Sequence, residues 1–97
     1  MKLSEAIEKG HEVYFKNAYW KDVYENAPED AKKYYDLMFS QYTGKDNPEY
    51  LKEFEIEKNK VYEGISGKGW NYLIAHANSN MLKEHLLNKR VKYTTMK

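Results

Sequence analysis

Residues 28–44 read PEDAKKYYDLMFSQYTG, and this stretch decides the fold. Pro28 lacks the N–H that would be unpaired at the first position of a helix, and Glu29 and Asp30 place negative charge at the positive end of its dipole. Thr43 and Gly44 supply a stop. Between them Ala31, Tyr34, Tyr35, Leu37, Met38, Phe39 and Tyr42 share one broad face at about 100° per residue, and Glu29, Lys32, Lys33, Asp36 and Ser40 lie opposite. The spacing predicts an amphipathic helix whose aromatic side enters a core.

The same device follows at once. Asp46 or Asn47 is suited to cap a second helix with Pro48 and Glu49 in its first turn. Tyr50, Leu51, Phe54, Val61, Tyr62 and Ile65 recur at helical spacing, Gly64 is suited to end the helix, and Ile56 falls on the charged side. Upstream, residues 4–26 are less regular. Leu3, Ile7, Tyr14 and Ala18 define one face, but Tyr19, Trp20, Val23 and Tyr24 gather on nearly the opposite one, so the helix breaks or kinks near Asn17 or is covered on two sides. Gly10 weakens it by about 1 kcal/mol relative to alanine. A short strand over residues 12–16 is the minority alternative.

Downstream, Trp70, Leu73, Ile74, Ala77 and Met81 align, whereas Leu82, Leu86 and Leu87 leave that line. Asn78, Ser79 and Asn80 between the two sets compete for backbone hydrogen bonds and favour a bend or a helix-turn-helix. From Val91 onward the chain reads as a frayed basic tail. The expected architecture is all-α: one domain spanning residues 1–97, a small bundle of four helices, five if the last one breaks.

Composition narrows the function. The chain has 97 residues, of which 41% are hydrophobic and 15% aromatic. That supplies one modest core and excludes global disorder. The absence of Cys excludes a disulfide scaffold and thiol chemistry. No apolar leader and no run of about 18 apolar residues is present, which points to a soluble cytoplasmic protein without a membrane partner. Net charge is +1 but unevenly spread: residues 65–97 carry +5 and the first 64 carry −4.

Chemistry-bearing constellations are sparse. His76 and His85 are nine apart, the wrong spacing for paired helix ligands, and His11 stands alone, so neither a metal nor any other cofactor is expected. Glu53, Glu55 and Glu57 fan around a helix instead of converging, and Ser66 and Ser79 lack a nucleophile elbow, so catalysis is not expected. Ser66, Gly67, Lys68 and Gly69 form a glycine turn before a helix, a feature that can hold an anion or a nucleotide phosphate.

Two binding surfaces remain. The basic C-terminal third offers Lys68, Lys83, Lys89, Arg90 and Lys92 to an anion or a nucleic acid, although a single arginine limits readout of base edges. The stronger feature is the excess of tyrosine and tryptophan, too many for a small core to hold. Tyr19, Trp20 and Tyr24, off the face set by the preceding turns, are expected to form a protein partner site, a seam between two copies, or a stacking surface. The leading reading is therefore a non-enzymatic intracellular interaction protein of inhibitor or adaptor type, docking on a larger macromolecule through Tyr19, Trp20 and Tyr24. Nucleic-acid binding through the basic third is the alternative.

Overall fold

A computed structural model of the chain describes residues 1–95 and is all-helical, with no strand among them. Six helices follow in order: α1 Leu3–Tyr14, α2 Ala18–Glu25, α3 Glu29–Gly44, α4 Pro48–Gly64, α5 Gly67–Ala75 and α6 Asn80–Thr95. The count exceeds the expected four or five because both suspect segments break. Each break has a local cause. Asn17 adopts an extended backbone and its side chain accepts from Tyr19 N–H at 2.9 Å, so α2 starts afresh and no strand forms over residues 12–16. Ser79 does the same for α6, accepting from Leu82 N–H at 3.2 Å. Asn47 caps α4 through Tyr50 N–H at 3.0 Å, with Pro48 in its first turn. Pro28 sits one residue before α3, at its cap position.

Helix α3 is the axis of the domain. One of its faces, with Ala31, Tyr35 and Phe39, lies in a core shared with Val23, Ile65, Trp70, Leu73 and Leu86. Its Leu37 joins a second cluster with Leu3, Ala6, Tyr50 and Phe54. Two buried faces explain two reversals of the sequence reading. Ser40, expected outside, is fully buried, its hydroxyl donating to the Leu37 carbonyl at 2.6 Å and lying 2.7 Å from the Tyr50 hydroxyl. Tyr42, expected inside, is 60% exposed because it lies beyond the end of the covered stretch. Leu51 and Met81 are exposed as well. For Met81 the reason is the break at residues 76–79, which resets the helical phase that appeared to continue from Trp70.

The expected frayed tail is instead helical through Thr95. Tyr93 anchors it, stacking on Trp70 at 6.2 Å between centroids and meeting Tyr62 at 5.6 Å. Met96 and Lys97, where that tail was to end, lie outside the described residues. No helix among the described residues is long and apolar enough to cross a membrane.

One polar contact ties the two halves together. Asp30 accepts the Ser66 backbone N–H and the Ser66 hydroxyl at 2.8 Å each, and Ala31 N–H at 2.9 Å. Burial raises the pKa of this carboxyl, but the donors outweigh burial and hold it below the ordinary carboxylate value. Asp30→Ala is expected to cost about 1 kcal/mol, since it removes hydrogen bonds to a carboxylate whose Ser66 donors are exposed and can turn to water; the midpoint of urea unfolding measures it.

Candidate functional site: an aromatic ridge across three helices

Helices α1 and α3 cross where a side chain on Gly10 would fall 2.6 Å from the carbonyl oxygen of Phe39. This close crossing, for which only glycine has room, sets Tyr14 flat on Phe39 at 4.3 Å between ring centroids. The turn after α1, capped by Asn17, then folds α2 back so that Trp20 also reaches Phe39, at 5.8 Å. Phe39 itself is fully buried. Upon this base four rings make contact in succession: Tyr42 with Tyr14 at 6.1 Å, Tyr14 with Trp20 at 6.1 Å and Trp20 with Tyr19 at 5.2 Å. Tyr14 and Trp20 are half-buried, while the two ends, Tyr42 and Tyr19, are 60% and 51% exposed. The result is a ridge with a sealed base and an open crest.

The three rings expected to act together are thus divided. Tyr19 and Trp20 belong to the ridge. Tyr24 turns the other way, donating from its hydroxyl to Asp36 Oδ1 at 2.9 Å. His11 Nε2 lies 2.6 Å from the same oxygen, and its ring meets those of Phe15 at 4.8 Å and Tyr24 at 5.2 Å. Burial first, then the hydrogen bond and charge of Asp36, push the Tyr24 phenol up to about 12. A phenol bonded inward in this way ties α2 to α3. The sequence reading missed Tyr14 and Tyr42, which were assigned to inward faces. A detectable signal was present in Tyr42, the last ring of its stripe, immediately before the Thr43 and Gly44 stop.

The glycine turn is already supplied with an anion from within the chain. Ser66 caps α5, accepting from Gly69 N–H at 3.2 Å, and the carboxylate held there is that of Asp30. Any side chain on Gly69 would fall 2.8 Å from it. Lys68 is exposed beside this occupied turn.

The remaining cations do not converge. Along α6, Lys83 and Arg90 lie on one side, whereas Lys89 and Lys92 lie toward the other at helical spacing. Arg90 donates to Asn71 Oδ1 at 2.7 Å, Lys89 Nζ stands 5.8 Å from the Tyr62 ring centroid, and Lys92 Nζ 5.5 Å from that of Tyr93. A groove of about 460 Å³ opens between α1, α3 and α4 over Leu3, Ile7, Leu37 and Val61. Among its rim charges, Asp30 and Asp36 are engaged as described and Glu57 pairs with Lys60 at 3.6 Å. Most of its polar capacity is therefore already satisfied within the chain. Comparison with protein-family models, curated proteins and solved structures gives no match for this chain.

Proposed function

We propose that the chain is a non-enzymatic, cytoplasmic interaction protein of inhibitor or adaptor type that docks on a protein partner through the ridge of Tyr42, Tyr14, Trp20 and Tyr19. One observation carries the reading: four aromatic rings in unbroken contact, spanning three helices, end in two tyrosines that are more than half exposed. Tyrosine and tryptophan bring large contact area at small entropic cost, and interface energy concentrates in such anchors. The absence of Cys fits a reducing compartment. Nucleic-acid binding is less well supported, because the cations of the last third spread around α6.

The test is partner capture with the intact chain and two double variants. Tyr19→Ala with Tyr42→Ala removes only exposed rings and is expected to change stability by about 0.5 kcal/mol per site or less. The same pair is expected to weaken capture of a protein partner by about tenfold or more. Lys89→Glu with Lys92→Glu is expected to leave capture unchanged. Capture that survives loss of both rings but fails with the lysine pair, and falls steeply with salt, would replace this reading with the nucleic-acid one.

A further inference from the structure

We infer that the groove between α1, α3 and α4 is a binding site for a free α-amino acid with an apolar side chain, a function separate from the aromatic ridge. The groove holds about 460 Å³, within the range of small-molecule sites, about 300 to 1,000 Å³. Its floor is hydrocarbon. Leu3 and Leu37 are buried there, while Ile7 and Val61 are half-buried and still have apolar surface to cover. Gly64 adds no side chain to the lining.

The wall along α3 selects the ligand. Asp30, Lys33 and Asp36 follow one another at three-residue spacing within this helix, so they are neighbours on successive turns, and all three line the groove. Asp30 is committed to Ser66 and Ala31, and on α4 Glu57 is paired with Lys60 at 3.6 Å. Two groups are left over. Lys33 is exposed and has no ion pair or hydrogen bond among the described residues. Asp36 meets both His11 and Tyr24 through Oδ1, which leaves Oδ2 without a partner among the described residues. A free cation and a free carboxylate oxygen therefore line one wall of an apolar groove, a turn apart and not paired with each other.

An α-amino acid carries the matching set: a carboxylate for Lys33, an ammonium for Asp36 and a side chain for Ile7 and Val61. Both contacts are charge-assisted hydrogen bonds, the stronger class of polar contact. Simpler amphiphiles match less of the wall. A fatty acid would meet Lys33, but within a lining that holds three carboxylates against two lysines. An alkylamine would suit that excess and leave Lys33 facing a like charge. A zwitterion engages both groups and adds no net charge.

The test is titration of leucine into the intact chain, with the methyl resonances of Ile7 and Val61 followed by NMR and the indole N–H of Trp20 as the reporter on the ridge. Saturable shifts are expected at Ile7 and Val61 at millimolar leucine or below, with Trp20 still. Three analogues each lack one feature: N-acetylleucine the ammonium, leucinamide the carboxylate and glycine the side chain. Each is expected to bind more weakly by about tenfold or more. Lys33→Gln changes an exposed position, is expected to keep the fold, and is expected to show the same loss. Lys83→Gln on α6, and Tyr19→Ala with Tyr42→Ala on the ridge, are expected to leave leucine affinity unchanged. No saturable shift at millimolar leucine, equal binding of any of the three analogues, or undiminished affinity in Lys33→Gln would overturn the inference. Loss of leucine binding in the ridge variant would also overturn it. The docking reading does not depend on this groove, so either can fail while the other stands.

Discussion

Gly10→Ala is expected to destabilise the domain by about 1 to 2 kcal/mol, although alanine is the better helix former. Propensity alone would favour the substitution by about 1 kcal/mol. The added methyl, however, would stand 2.6 Å from the Phe39 carbonyl oxygen, 2.7 Å from its carbonyl carbon and 3.0 Å from its Cβ. Backbone atoms of a neighbouring helix cannot rotate aside, so α1 must lift off α3. That movement separates Tyr14 from Phe39 and His11 from Asp36, contacts that lie close to the crossing. Overpacking of this kind costs about 1 to 3 kcal/mol and sometimes more, which outweighs the propensity gain. Gly64→Ala is the matched control, since nothing lies within 4 Å of its added methyl and its φ is not positive. It is expected to be neutral or stabilising by up to about 1 kcal/mol. Urea unfolding of the two variants reads the difference directly, and a Gly10→Ala protein as stable as the parent would refute the close crossing on which the ridge stands.

The second large effect is alkaline unfolding. Folding raises the pKa of six tyrosines, in each case chiefly by burial: Tyr24 to about 12, Tyr34 and Tyr35 beyond that, and Tyr50, Tyr62 and Tyr72 to lesser extents. Tyr35 is an extreme case, its hydroxyl buried without a hydrogen-bond partner among the described residues. At Tyr50 the hydrogen bond with Ser40 works against burial without cancelling it. The sign follows from linkage. Below the unfolded value of 10.0 these phenols are neutral in both states and contribute their full stabilisation. Above it the unfolded chain releases protons that the folded chain retains, so stability falls until the folded values are passed. A fully developed slope is about 1.4 kcal/mol per pH unit for each such group, and a domain holds only about 5 to 15 kcal/mol in total. Loss of helix between about pH 10 and 12 is therefore expected, with far-ultraviolet circular dichroism and tyrosinate absorbance changing together in one cooperative step. Gradual ionisation with the helices intact at the top of that range would show that the phenols are less enclosed than the packing indicates.

Both predictions concern features that sequence reading could see only in part. Gly10 was visible as a weak point in a helix, whereas the structure makes it the site of closest approach to a residue 29 positions away. The tyrosine excess was visible too, but not its division. Tyr35, Tyr50 and Tyr62 fill the interior, and of the ten tyrosines only Tyr19 and Tyr42 are more than one-third exposed. Tyr19 and Trp20 were legible as members of the ridge because they leave the apolar line of their own segment. Tyr14 and Tyr42 were not, because their place on the crest arises from three helices meeting over Phe39.

By itself the chain determined where four of its six helices begin. Asn17, Asn47, Ser66 and Ser79 each bond to an amide two or three residues ahead, and such contacts need no distant partner. The apolar period determined that the helices have sides to bury. Only the tertiary structure decided which sides: it covered α3 on two faces, buried Ser40 and released Tyr42, and delivered Asp30 to the turn at Ser66. The physical reason is reach. Capping and periodicity act within a few residues along one helix, whereas burial and the meeting of rings depend on which neighbour the crossing at Gly10 brings alongside.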